Sequence, residues 1–537
     1  MIDRIIINNY KCIKQADIKL NSFKNIIVGN NGVGKSTLIE ALSLVLGYGL
    51  NKFEITSHIF NIDSIKKYKS EKLLPEILIE VYFDEDFPDI AGTNNSTKEY
   101  RSGLYLRVIF DELYRELYSE EVANNAISNI PCEYYKCERY WFSQKPVKQF
   151  KMPYTIQIVD TSSLYFSSSS TQYINQLIQK YLGESDATKI RTSLRHLKDS
   201  FDKIDDINSV NKKIQQQKKG LTLSVDVTSK IDKRDIICPF IEDIPVSQIG
   251  AGEICHLKAL LALGDSSSST HKKIIIIIEE PEAHLSHTKM YEMLRDIENH
   301  LNADSNQIII TTHNSFVANK LDLSNLIMLD RDNYVLTSNS IKVSNKELFG
   351  FFSKICHYPT LRLILCKAVV LVEGPTDEMV VTYYYQKTFK RHPFDDGIEL
   401  VSVNGTAFKA YVDLMDNFPS KRVAVITDND GLDDADLFKE RGLPSKLPCN
   451  VKLFTESNRK LNTLEPSFIY ANKENLLSLS DFFRVRKIEN DTEDKLVSYL
   501  KDNKTQWSFR LLENIESCSY SVPQYIIDAI DWVRNEQ

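Results

Sequence analysis

The sequence predicts an α/β chain made of two parallel-sheet units, and three stretches predict it. The first is Ile274-Ile275-Ile276-Ile277-Ile278-Glu279-Glu280-Pro281. Five consecutive isoleucines require burial on both faces, which fits a central parallel strand covered by helices on each side. The second is Gly29-Asn30-Asn31-Gly32-Val33-Gly34-Lys35-Ser36-Thr37, set between a short apolar strand and an apolar helix. The third is Ala368 to Val372, an apolar run ending in Glu373-Gly374-Pro375. In open α/β sheets the carboxyl ends of strands are where ligands sit, and both apolar runs end in acids.

Composition sets the bounds. A chain of 537 residues with 42% hydrophobic and 26% charged residues describes a globular protein of two to four domains. Its apolar runs are too short to span a membrane. The N-terminus enters a strand-like segment directly, so no signal peptide is expected. Nine cysteines without a CxxC pair indicate reduced thiols and a cytoplasmic location. Cys132 and Cys137 read as structural. The net charge of −7 argues against a wholesale nucleic-acid coat, while leaving room for a local basic groove or a metal-bridged phosphate site.

In chain order, Arg4–Asn8 and Asp17–Leu20 read as a strand pair, and Asn25–Val28 as the strand feeding the glycine loop. That loop is GxxxxGK[ST] in the strand–loop–helix context it needs. Its backbone amides would close around a β-phosphate at a helix N-terminus. Gly29, Asn30, Asn31, Gly32, Gly34, Lys35, Ser36 and Thr37 are therefore ATP-site candidates, with Lys35 for the β- and γ-phosphates and Ser36 for Mg²⁺. Residues 50–170, rich in Tyr and Phe, suggest an antiparallel lobe. Between 172 and 235, Tyr173, Leu177, Ile190, Leu194, Leu197, Phe201 and Ile204 recur at helical spacing. This is either a surface helical pair or a dimerisation arm. Gly250-Ala251-Gly252-Glu253 opens another apolar helix, so Gly250 and Gly252 are further phosphate-site candidates. A strand from Gln307 to Thr311 ends in Thr312-His313-Asn314, and Leu326–Leu329 reads as the last strand of this unit.

These motifs resemble the ABC-type ATPases of the structural-maintenance and recombination-repair (SMC-like) branch. The resemblance implies that Glu279 holds the Walker B metal position and that Glu280 is the general base. It also implies a D-loop at Pro281-Glu282-Ala283-His284-Leu285, and His313 as the γ-phosphate-sensing histidine. Two departures stand out: Glu279 replaces the usual aspartate, and Gly250-Ala251-Gly252-Glu253 lacks the signature serine. Slow hydrolysis or a switching role is expected. In this class the signature loop faces the partner's site, which implies a homodimer.

The second unit begins at about residue 365. Glu373 ends one strand and Asp377 lies one turn into the following helix. Arg422–Thr427 is a second strand ending in Asp428-Asn429-Asp430, whose two aspartates share a face. Four such carboxylates repel one another unless cations intervene, and hard oxygen donors suit Mg²⁺ or Mn²⁺. The pattern resembles a Toprim domain, with Val403-Asn404-Gly405-Thr406 fitting between the acidic strands. An ABC ATPase followed by Toprim resembles the overcoming-lysogenisation-defect (OLD) family of endonucleases, which includes the nuclease subunit of Gabija anti-phage systems. The resemblance adds Glu465 as a metal ligand and Lys504 as the lysine near the scissile phosphate, with Lys501 as the alternative.

The expected organisation is ATPase at 1–171 and 236–335, a helical insertion at 172–235, a connector at 336–364 and Toprim at 365–537. The implied activity is an ATP-gated, metal-dependent DNA endonuclease acting against phage. Its cofactors would be ATP and Mg²⁺ or Mn²⁺, and its partners DNA, a second copy and a defence protein such as a helicase or reverse transcriptase. An ATP-switched DNA-repair clamp and a nucleotide-sensing scaffold are the alternatives.

Overall fold

The computed structural model describes residues 1–47, 50, 53–124, 128–149, 152–160, 184–201, 203–217, 240–241, 243–245, 248–264, 273–283, 285–340, 352, 354, 359–403, 408–485 and 492–535. The chain divides into two units, Met1–Ile341 and Lys342–Gln537. Among the described residues no helix is long and apolar enough to cross a membrane.

The strands of unit 1 are β1 (Ile2–Tyr10), β2 (Ile13–Lys19), β3 (Lys24–Val28), β4 (Ile77–Phe83), β5 (Ala91–Gly92), β6 (Arg101–Phe110), β7 (Tyr135–Trp141), β8 (Thr155–Asp160), β9 (Phe240–Ile241), β10 (Ile244–Pro245), β11 (Ile274–Glu279), β12 (Asn306–Thr311), β13 (Leu326–Asp332) and β14 (Val335–Ser340). Apart from the small β9–β10 pair, they form one twelve-stranded sheet ordered β5-β6-β4-β1-β2-β14-β13-β3-β12-β11-β8, with β7 beside β6.

The two ends of this sheet differ in kind. β1, β2, β4, β6 and β7 pair antiparallel; β4, β6 and β7 come from the Tyr- and Phe-rich stretch 50–170, but β8 of that stretch pairs parallel with β11 instead. β13, β3, β12, β11 and β8 run parallel. The isoleucine strand β11 lies between β8 and β12, and its five isoleucines are all at most 4% exposed. Side chains alternate along a strand. Ile275 and Ile277 join the core with Leu38, Leu42 and Val45 of the helix Lys35–Val45, leaving Ile276 and Ile278 for the other face, where they are also buried. Full burial of each contributes about 1.5–3 kcal/mol.

The run Leu326–Leu329 is not the final strand. β14 folds back antiparallel on β13 and pairs parallel with β2, joining the antiparallel lobe to the parallel half. It carries unit 1 to Ser340, past residue 335 where the sequence placed the connector. In the 172–235 insertion, helices Glu184–Phe201 and Asp205–Gln217 are described, and Leu197, Ile204 and Val210 on or between them are exposed. Tyr173 and Leu177 lie outside the described residues.

Unit 2 has a four-stranded, all-parallel sheet ordered β16-β15-β17-β18, formed by β15 (Ala368–Val372), β16 (Ile398–Ser402), β17 (Arg422–Ile426) and β18 (Val451–Phe454). Such sheets need both faces covered. The helices Pro375–Phe389, Leu464–Ala471, Lys504–Glu513 and Gln524–Arg534 contribute to the same core as β15 and β17. Asn404, Gly405 and Thr406 lie outside the described residues.

Candidate functional site

In unit 1 the glycine loop follows β3 and leads into the helix Lys35–Val45. Gly34 sits at φ +123°, a conformation that L side chains rarely adopt, and a Cβ there would meet Cys12 Sγ at 3.3 Å. A Cβ on Gly29 would lie 2.7 Å from the carbonyl oxygen of Leu329 on β13, so the loop closes directly on the neighbouring strand. Lys35 is buried and turns back into its own loop. Its Nζ donates to the carbonyls of Gly29 (2.9 Å) and Asn30 (3.2 Å). Burial lowers its pKa, opposed by Glu280, Glu282 and Glu279.

A cavity of about 660 Å³ opens beside this loop, lined by Cys12, Asn31, Gly32, Gly34, Lys35, Ser36, Thr37, Glu280 and His313. Three strand ends thus meet at one hollow. Glu279, the last residue of β11, lies in register with Thr311 of β12, and Glu280 follows it. Glu280 adopts φ +42°, and its amide donates to the carbonyl of Thr311 at 3.0 Å. Strain of this kind clusters where a side chain must be aimed. His313 Nε2 lies 3.1 Å from Glu280 Oε1. Gly250 and Gly252 are placed elsewhere, at the start of the helix Ala251–Gly264. His284 lies outside the described residues.

Glu282 has a role that the sequence did not reveal. Its Oε1 accepts from Thr312 Oγ1 and from the His313 amide, both at 2.7 Å, so it pins the histidine loop. Its Oε2 is buried without a hydrogen-bond partner. Glu282 stood within the D-loop motif, but nothing in the local pattern tied it to Thr312.

In unit 2 the acids gather at the carboxyl ends of β15 and β17. Asp377 Oδ2 accepts from the Gly374 amide at 3.0 Å, fixing the start of the helix Pro375–Phe389. Glu373 Oε1 accepts from the Asp428 amide at 2.8 Å and from Thr427 Oγ1, which ties the two strand ends together. Asp430, at φ +47°, donates its amide to the carbonyl of Asn462 at 3.0 Å. Glu465 is buried in the helix Leu464–Ala471 and accepts from Thr463 Oγ1 at 2.8 Å. Lys504 begins the helix Lys504–Glu513, and its exposed ammonium stands 3.9 Å from Glu465 Oε1. Lys501 lies in the last turn of the preceding helix Thr492–Asp502.

The electrostatics of this cluster are those of crowded anions. The Asp377 carboxyl is pushed up to about 7, by burial first and then by Glu373. Asp428 is pushed up to about 8, by burial and then by Asp377, Glu373, Glu465 and Asp430. Two further residues escaped the sequence reading. Tyr525 is buried, with its ionisation opposed by burial and then by Asp428 and Asp377. Arg441 forms ion pairs with Glu373 (2.7 Å) and Asp430 (2.6 Å). Neither carries a motif of its own.

The donor set fits a hard divalent ion: five carboxylates, two of them raised by burial and by their neighbouring carboxylates. Among the described residues no three acidic, histidine or cysteine side chains stand in finished ligating geometry. Arg441 draws Glu373 and Asp430 to itself instead. Glu373, Asp377, Asp428, Asp430 and Glu465 are the residues that would hold the metal.

Comparison with known proteins gives the same division. The family model described as "AAA ATPase domain" matches residues 1–236 and 251–318. The model described as "Overcoming lysogenization defect protein-like, TOPRIM domain" matches residues 364–430. The chain is 21% identical to an "Endonuclease GajA" of Bacillus cereus (strain VD045), covering 79% of this chain and 74% of that protein. It is 24% identical to an "OLD nuclease" of Thermus scotoductus (strain ATCC 700910 / SA-01), covering 77% and 79%. The solved C-terminal region of the Burkholderia pseudomallei OLD protein is 18% identical over 32% of this chain and 98% of that one, with a TM-score of 0.23, too loose a likeness to bear on the fold. The two matched domains imply use of a nucleotide and of a divalent metal. The chain belongs to the AAA ATPase domain family and joins that ATPase to an OLD-like TOPRIM domain.

Proposed function

We propose that this chain is an ATP-regulated, divalent-metal-dependent DNA endonuclease of bacterial anti-phage defence, in which the ATPase gates the TOPRIM nuclease. The observation that carries the nuclease reading is the convergence of Glu373, Asp428 and Asp430, after adjacent parallel strands, with Asp377 and Glu465 from two helices, and with Lys504 beside Glu465. When bound, Mg²⁺ or Mn²⁺ would supply activation of water and stabilisation of a leaving oxygen. Lys504, exposed beside Glu465, would neutralise charge on a phosphate.

In unit 1, Lys35 gives up its loop carbonyls for the phosphates of ATP, and Ser36 faces the same hollow. Glu280 accepts a proton from water as general base, and His313 reports the γ-phosphate to it across their 3.1 Å contact. The defence role and a partner protein rest on the likeness to the GajA endonucleases. A homodimer through the helical insertion accords with the exposed apolar residues Leu197, Ile204 and Val210.

Cleavage of supercoiled DNA with Mg²⁺ or Mn²⁺, with and without ATP, tests the reading. The native protein is expected to cut and Glu373→Ala to be inactive, while Lys35→Ala reveals the direction of ATP control. Equal cutting by native protein and Glu373→Ala would remove the TOPRIM site as the source of cleavage.

A further inference from the structure

Arg441 immediately follows the helix Asp434–Glu440, in a polar stretch that looks like surface in the sequence. Its side chain is nevertheless only 13% exposed. Nη2 lies 2.7 Å from Glu373 Oε1 and 2.6 Å from Asp430 Oδ2, and donates to the carbonyl of Asp428 at 3.3 Å. Nε donates to Thr427 Oγ1 at 2.8 Å. One guanidinium thus bridges the ends of β15 and β17, where the family fold implies a metal.

Glu373 Oε1 is saturated by this arrangement. It accepts from Arg441, from the Asp428 amide and from Thr427 Oγ1. A carboxylate oxygen offers about two lone-pair directions, so no direction of Oε1 remains for an ion. Asp430 Oδ2 is likewise turned toward the guanidinium. Arg441 meets Asp428 at its main-chain carbonyl. A single positive charge therefore stands where a doubly charged ion would neutralise more of the cluster. A divalent ion seated among the same oxygens would repel a guanidinium at this distance.

Resting on the metal-dependent reading above, we propose that Arg441 is a resident counter-ion that competes with the divalent metal for Glu373 and Asp430, so that metal loads only as the guanidinium withdraws. Without a bound ion the arginine would hold the acid cluster together, and it sets a threshold of metal concentration for occupancy. Gly442 follows directly at φ +62°, and a Cβ there would meet no atom within 4 Å. A guanidinium released from the carboxylates is a planar fork that suits a phosphate.

The test is Mn²⁺ binding to the full chain without DNA or ATP, read by titration calorimetry and by the electron-spin signal of free Mn²⁺. Native protein is compared with Arg441→Gln, Arg441→Lys and Glu373→Ala. Arg441→Gln is expected to bind Mn²⁺ at least tenfold more tightly than native protein, with a lower melting temperature in chelator that Mn²⁺ restores. Arg441→Lys, charged but too short to bridge both acids, is expected to fall between. Unchanged or weaker binding by Arg441→Gln overturns the inference and makes the arginine a fixed scaffold. If Arg441→Gln does not fold, Arg441→Lys decides by the same criterion. If native protein and both arginine variants take up no Mn²⁺ while remaining folded, the metal reading itself falls, an outcome distinct from equal binding.

Discussion

His313 Nε2 and Glu280 Oε1 stand 3.1 Å apart at the ends of neighbouring parallel strands, β12 and β11. The contact joins a candidate phosphate sensor to a candidate base. Replacing Glu280 with Gln keeps the shape and removes the proton acceptor. ATP binding is expected to persist in this variant, while hydrolysis falls by about 10²–10⁴-fold. Filter binding beside phosphate release checks this; undiminished hydrolysis would exclude Glu280 as the base.

Gly34→Ala places a Cβ against Cys12 Sγ at a φ closed to alanine. The expected result is loss of nucleotide binding together with a destabilisation of about 1–3 kcal/mol. Calorimetric titration with ATP and a denaturant melt measure the two effects. Native affinity in this variant contradicts a rigid, tightly closed loop.

Lys504 and Lys501 are separated by substitution. Lys504 is exposed, so Lys504→Ala should alter stability by no more than about 0.5 kcal/mol. DNA cleavage should nonetheless fall by roughly 10²-fold, the scale of losing one group that stabilises transition-state charge. Lys501→Ala should cut normally. The reverse pattern moves the role to Lys501.

The acid cluster makes the stability of metal-free protein depend on pH. Asp377 and Asp428 hold pKa values of about 7 and about 8, above the unfolded value of about 3.9. The folded state thus binds more protons than the unfolded chain between these limits. Their contribution is fully present below about pH 4 and is lost as pH rises through about 7 and 8. In chelator, the melting temperature should fall from pH 5 to pH 8.5, and Asp428→Asn should flatten that fall. A flat native profile would count against close packing of these carboxyls.

Ile277→Ala empties a buried position in β11 with neighbours on both sides, and should cost about 2–5 kcal/mol. Urea unfolding of unit 1 reads this directly. A cost below about 1 kcal/mol would mean that the strand is not central.

The local patterns were legible because short stretches encode them. Five isoleucines reveal a strand buried on both faces, and GxxxxGKS reveals a strand–loop–helix junction. Glu373 and Asp428 were legible as residues that end apolar runs. Arg441 was not, because its partner Glu373 lies 68 positions away and its own neighbours read as solvent-facing. β14 escaped because its six residues, Val335–Ser340, are mostly polar and gain strand form from pairing with β13 and β2. Tyr525 escaped because one aromatic in an amphipathic helix says nothing about which carboxylates it covers.

The position of β3 also orders events in time. The strand is made among the first thirty residues, yet it sits between β12 and β13, and Asn25 Nδ2 donates to the carbonyl of Ile308, 283 residues away. On a ribosome adding about 5–20 residues per second, the strand waits many seconds for its neighbours. Until they emerge, the glycine loop has no His313 opposite it and the parallel edges of β3 stay open. Nucleotide capture is therefore a late event in the birth of unit 1, and a nascent chain stalled before β12 carries a phosphate loop without a working pocket.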